Sequence, residues 1–142
     1  MDKQKGEEVL LDVLQKIIES ACFANNLYQS LSDKVDDEKW KRQLQLFLEY
    51  GQKQYQSFQY LHFLINGAYY EHKSRSIVHD SINDLLEAAL FNEVKKTNRY
   101  SELFTKLTGT QKHVMMQALK HSLQCAATLA EMVEKVNLKQ IH

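Results

Sequence analysis

Not one proline interrupts the 142 residues of this chain, and its four glycines stand at positions 6, 51, 67 and 109. Proline costs about 3 kcal/mol inside a helix and glycine about 1 kcal/mol relative to alanine, so their scarcity leaves long uninterrupted stretches free to be helical. Apolar residues recurring every three or four positions fill those stretches, as the buried stripe of an amphipathic helix requires. An all-α fold follows, and a length of 142 residues suits one domain spanning the whole chain.

Four helices can be traced. Helix one is expected over about Glu7 to Ser32, with Leu10, Leu14, Ile17, Ala21, Ala24, Tyr28 and Leu31 on its inner side. After the acidic turn Asp33 to Asp37, Asp36 is expected to cap helix two, whose stripe is Trp40, Leu44, Phe47, Leu48, Gly51, Tyr55, Phe58, Leu61 and Ile65. Asn66-Gly67 reads as its stop. Helix three is expected from a cap at Ser76 to about Leu107, burying Ile82, Leu86, Ala89, Glu93, Lys96, Tyr100, Leu103 and Leu107. Thr110 then caps helix four, whose apolar side reads Met116, Leu119, Leu123, Ala126, Ala130 and Val133, before a frayed tail at about 137–142.

The two short turns make antiparallel hairpins of helices one and two and of helices three and four. The middle link, about 67–75, is longer. Nine extended residues reach on the order of 30 Å, enough for a crossover along the bundle, although an up-down-up-down arrangement or a swapped dimer would also accommodate it.

The two hairpins echo each other at a spacing of 72 residues. Asn26, Tyr28 and Leu31 recur as Asn98, Tyr100 and Leu103, while Asp12, Leu14, Lys34, Gln45 and Gln52 recur as Asp84, Leu86, Lys106, Gln117 and Gln124. Together with Ile-Ile-Glu-Ser-Ala-Cys-Phe-Ala-Asn-Asn-Leu-Tyr in helix one and Leu-Leu-Glu-Ala-Ala-Leu-Phe-Asn-Glu-Val-Lys-Lys-Thr-Asn-Arg-Tyr in helix three, this pattern resembles the ferritin-like superfamily, in particular short rubrerythrin-like proteins, over roughly Ile17 to Val136.

The resemblance implies a four-helix bundle of two hairpins joined by a crossover. It also implies a di-iron centre, with a glutamate two turns before each tyrosine and a Glu-x-x-His pair on helices two and four. Carboxylates bridge the irons and imidazoles complete their coordination. Seven residues before Tyr100 stands Glu93, but seven before Tyr28 stands Ala21. The matching pairs read Gln52 with Tyr55 and Gln124 with Ala127; a register shifted by one gives Gly51 with Gln54 and Leu123 with Ala126. One carboxylate cannot hold two irons. The expectation is therefore a degenerate site without a cofactor, in which Glu93, Gln52, Tyr55, Gln124, Tyr28 and Tyr100 line a remnant polar pocket. If any residue binds metal it is Glu93; the other placement puts Glu93 on the surface beside Lys96 or Thr97.

A structural or interaction protein is the leading functional reading, and by analogy several small bacterial relatives of this fold serve in spores or under stress. Two others stay open. One is a metal-dependent, di-iron oxidoreductase with relocated or inter-subunit ligands and iron as cofactor. The other is a small-ligand binder using the remnant pocket. His113 and His121, or His79, could serve a relocated site, though solvated faces explain them as well.

Gln52, Gln54, Gln56 and Gln59 alternate with Tyr50, Tyr55, Phe58 and Tyr60 on helix two. The aromatic surplus, with Tyr69 and Tyr70 in the link, fits either a homodimer contact or packing beneath the crossover. Lysine plus arginine equal aspartate plus glutamate at 18 each, which argues against nucleic acid as a partner. No apolar run approaches the length of a membrane span, and the polar start, Met1 to Glu8, does not resemble a signal peptide, so a cytoplasmic protein that does not engage a membrane is expected. Cys22 and Cys125 form no CxxC pair and read as buried, inert thiols.

Overall fold

The computed structural model describes residues 2–141, with side chains over 5–139. Its elements are four helices: α1 (Asp2–Lys34), α2 (Glu38–Asn66), α3 (Ile82–Phe104) and α4 (Gly109–Ile141). The described residues contain no strand. This is the all-helical architecture that the missing prolines permit.

Local chemistry places the helix ends. Asp37, not Asp36, caps α2, because its carboxylate accepts the Trp40 amide hydrogen at 3.0 Å. Gly67 ends α2 with φ of 79°, a left-handed turn that lets its N–H bond the Phe63 carbonyl at 2.8 Å. The cap of α3 is Ser81 rather than Ser76: Ser81 Oγ accepts the Asp84 amide hydrogen at 3.1 Å. The four residues between the two serines are drawn off the helix, with Ile77 packed on the core and Asp80 paired with Lys34 at 3.0 Å. The link is consequently longer than expected, covering 67–81, while α3 ends at Phe104, short of Leu107. Residues 137–141, the described part of the tail, continue α4; His142 lies outside the described residues.

α1 packs antiparallel to α2, as Gln45 to Ser32 and Gln15 to His62 show, and α3 packs on α4. α1 also runs antiparallel to α3: Tyr28 bonds Glu93, whereas Ser20 and Lys16 bond Arg99. Asn92 Nδ2 donates to the Ser20 carbonyl at 3.1 Å, a pair separated by 72 residues, so the echoed positions meet where α1 and α3 cross. Contact between α2 and α4 is much sparser.

The connecting segment touches α1 in sequence order. Tyr70 bonds Glu19, Ser74 lies beside Cys22, Arg75 covers the Phe23 ring and Asp80 meets Lys34. It is also fastened to α2. Gln59 donates to the Tyr70 carbonyl at 2.9 Å and accepts its amide hydrogen at 2.8 Å, while Tyr55 bonds His72 at 3.0 Å and His62 Nδ1 bonds the Ala68 carbonyl at 2.7 Å. Part of the aromatic and glutamine surplus of helix two is thereby used within the chain.

Burial follows the expected stripes of α1 and α3 closely. All seven stripe residues of α1 are buried except the half-buried Leu10, and on α3 only Ile82 is half-buried. α4 differs. Its buried positions are Met115, Ala118, Ser122, Cys125, Leu129 and Met132, each one residue before the expected stripe. One residue is a rotation of about 100°. Hydropathy favours the face of Met116 and Leu123, both of which are exposed, whereas the inner face is chosen by the bond that Ser122 makes to Glu93 and by small residues that admit close packing. Among the described residues, no helix is long and apolar enough to cross a membrane.

Candidate functional site: a buried ion pair between two apolar clusters

Two apolar clusters occupy the interior. One gathers Tyr28, Leu31, Leu44, Phe47, Leu86 and Cys125; the other gathers Leu14, Ile17, Phe58, Tyr100, Leu103 and Met115. A polar group contributed by all four helices joins them. At its centre Glu93, which has no solvent exposure, accepts hydrogen bonds from Tyr28 Oη, from Lys96 Nζ at 2.9 Å and from Ser122 Oγ at 2.5 Å. Thr97 Oγ1 donates to the Glu93 carbonyl at 2.9 Å and lies 3.3 Å from Ser122 Oγ.

Lys96 sits one helical turn beyond Glu93 and is equally enclosed. The i,i+3 spacing turns both side chains to one face of α3. Its ammonium also lies 5.7 Å from the centre of the Tyr100 ring, where the negative π face favours a cation. Tyr100 in turn donates to Gln54 Oε1 at 2.6 Å. The carboxylate thus has three donors, one of them its countercharge, which is what a charge in a low-dielectric interior needs.

Ionisation behaviour follows this enclosure. Burial, reinforced by the neighbouring Glu93, holds the Tyr28 hydroxyl well above its usual range. Tyr100 is raised by burial; Lys96 opposes that rise and Glu93 adds to it. For Lys96 burial works against the charge, but the attraction of Glu93 and Tyr100 outweighs it and leaves the ammonium above its usual range. Burial and Glu93 push the Cys125 thiol up to about 12.

Three of the six expected pocket residues meet here: Glu93, Tyr28 and Tyr100. The surface placement of Glu93 beside Lys96 is corrected, since the two pair inside the protein. Gln52 and Gln124 are exposed and lie outside the cluster, and Tyr55 is half-buried with its hydroxyl committed to His72 and Gln59. Adjacent residues take the inward places instead: Gln54, one before Tyr55, and Cys125, one after Gln124, are both buried.

Lys96 stood on the expected stripe of α3, so its burial could be read from periodicity; its role as countercharge could not. Ser122 gave no signal, being a small polar residue on the less apolar face of helix four. His121 stacks on Tyr50 with ring centres 3.9 Å apart, and burial together with Lys120 and Lys53 lowers its pKa. His113 and His79 are exposed. Cys125 is buried as expected, but Cys22 is only half-buried.

Chemically, the arrangement is an enclosed ion pair in which both carboxylate oxygens of Glu93 are already occupied by donors. Among the described residues, no three His, Cys, Asp or Glu side chains come together as a metal-binding group. Comparison with known proteins finds no matching family model, no matching curated protein and no matching solved structure.

Proposed function

We propose that this chain is a rubrerythrin-like member of the ferritin-like superfamily that has exchanged its di-iron centre for an internal ion pair, and that it acts as a structural or interaction protein. The observation that carries the reading is Lys96. Where a di-iron protein would neutralise its carboxylates with metal, the single carboxylate Glu93 is neutralised by an ammonium from its own helix at 2.9 Å. An ammonium at that distance and a metal ion compete for the same lone pairs.

The order in which the connecting segment meets α1, together with the antiparallel run of α1 and α3, supports a ferritin-like crossover between the hairpins. A homodimer through the outer side of α2 and the connecting segment is part of the same proposal. Tyr60, Phe63, Leu64 and Tyr69 are exposed there, with the Phe63 and Tyr69 rings stacked at 5.0 Å.

Elemental analysis after expression in iron- and manganese-rich medium tests the central claim. Less than about a tenth of a metal per chain is expected, and close to two irons per chain would replace this reading with the oxidoreductase one. Light scattering on the purified protein and on Leu64→Glu tests the dimer: the parent should have twice the mass of the variant. A monomeric parent would remove the dimer from the proposal.

A further inference from the structure

The chain is neutral as a whole, yet one cleft is not. Between α1, α3 and the connecting segment lies a space of about 320 Å³ lined by five cations, Lys16, Lys73, Arg75, Lys95 and Arg99, against one carboxylate, Glu19. Glu19 already accepts the Tyr70 hydroxyl at 2.7 Å. Among the described residues, only Lys16 of the five has a carboxylate within ion-pair distance, Asp12 at 3.1 Å. The other four cations face the cleft without a carboxylate partner.

Three of them are held in place by neighbours that leave their charge unpaired. Arg99 is anchored by Nη1 to Ser20 Oγ at 2.6 Å, which leaves Nε and Nη2 to donate elsewhere. Arg75 places its guanidinium carbon 4.3 Å from the centre of the Phe23 ring, a contact that holds the group without taking any of its N–H donors into an ion pair. Lys95 lies 4.9 Å from the centre of the Phe91 ring. Held guanidinium groups with free N–H edges are suited to paired bonds with planar or tetrahedral oxyanions.

We infer that this cleft binds a small molecule carrying a multiply charged oxyanion, either phosphoryl or polycarboxylate. The site is distinct from the Glu93–Lys96 pair and does not depend on the proposed function. Its volume is that of a small-molecule site. The adjoining space, which shares Phe23, Arg75, Asn92 and Lys95, is bordered by Asp84 and Glu87. That polarity orients the ligand: its anionic group lies toward Lys16 and Arg99, and the remainder presents hydrogen-bond donors toward Asp84 and Glu87.

Cys22 borders the cleft and reports on its occupancy. The test titrates the full chain with inorganic pyrophosphate and, separately, with citrate, by calorimetry and by the rate of Cys22 alkylation. Saturable binding of at least one probe, with slower alkylation, is expected; pyrophosphate alone identifies a phosphoryl ligand, and citrate alone a polycarboxylate. Arg75→Gln and Lys95→Gln should each weaken binding about tenfold, whereas Lys39→Gln, far along the chain in α2, should leave it unchanged. Circular dichroism checks that each variant folds, and two independent variants keep the test decisive. Absence of saturable binding by both probes would overturn the inference, as would an equal loss in Lys39→Gln. A nucleic-acid oligonucleotide that binds through Arg75 and Lys95 while neither probe does would overturn it in favour of a different partner.

Discussion

Lys96 Nζ lies 2.9 Å from Glu93 Oε1, and solvent reaches almost none of either side chain. The pair has no surface screening to weaken it, and neither member can lose its partner without leaving a lone charge inside the protein. Glu93→Gln and Lys96→Met should therefore each destabilise by about 3–5 kcal/mol. The double substitution should recover most of the loss. Urea unfolding with an unchanged m-value measures this; losses that simply add would show that the two residues do not act as a pair.

Asn25 and Gly51 oppose each other across α1 and α2. A methyl group at Gly51 would run into Asn25 Oδ1, a buried atom that has no hydrogen-bond partner among the described residues. Alanine gains about 1 kcal/mol over glycine in a helix interior, so the collision hides an available stabilisation. Gly51→Ala should gain little alone, whereas Asn25→Ala with Gly51→Ala should exceed the parent by about 1 kcal/mol or more. Equal gains from Gly51→Ala with and without Asn25 would refute the contact.

The two thiols should differ in reactivity. Burial and Glu93 push Cys125 up to about 12, so it should resist iodoacetamide in the native state and react only on unfolding. Cys22, half-buried at the cleft, should be modified first. Peptide mass mapping after brief labelling reads the order, and equal labelling would contradict the enclosure of Cys125.

Alkaline pH should loosen the connecting segment. Its hydrogen bond to Glu19, with a smaller contribution from burial, raises Tyr70 from its ordinary 10.0 to about 12. A raised value means that the folded state keeps the proton longer, so this contribution is complete below about 10 and is lost as the pH rises toward about 12. Tyr28, Tyr100 and Lys96, also raised, change stability in the same direction. Tyr70→Phe should make the fall in stability over that interval shallower; an unchanged slope would place the Tyr70 proton outside the linkage.

Much of the architecture was legible because it rests on repeated local chemistry. Four helices follow from the absence of proline and from the apolar periodicity, and the stripes of α1 and α3 are long enough to fix which way each faces. Helix four was misread for a physical reason. Its inner face carries Ala118 and Ser122, so hydropathy points to the outer face of Met116 and Leu123; only the position of Glu93, 29 residues earlier than Ser122, settles the rotation. In the cluster, the inward position beside the expected Tyr55 is Gln54 and the one beside the expected Gln124 is Cys125, while Gln52 and Gln124 face outward. Glu93, Tyr28 and Tyr100 were legible from the spacing, but the countercharge was not, since a lysine on an apolar stripe gives no sign of whether it reaches out to water or inward to a carboxylate. Nor does spacing reveal the cationic cleft, whose members come from three separate segments.

The light contact between α2 and α4 has a consequence for how water enters. The Tyr50–His121 stack bridges these helices, and an apolar opening beside Phe58, Val114 and Ala118 reaches Gln54. Gln54 holds the hydroxyl of Tyr100, and the Tyr100 ring lies near the ammonium of Lys96. Local opening along this seam would bring solvent to Gln54, so an uncharged amide and the Tyr100 ring, not the ion pair itself, stand at this side of the interior.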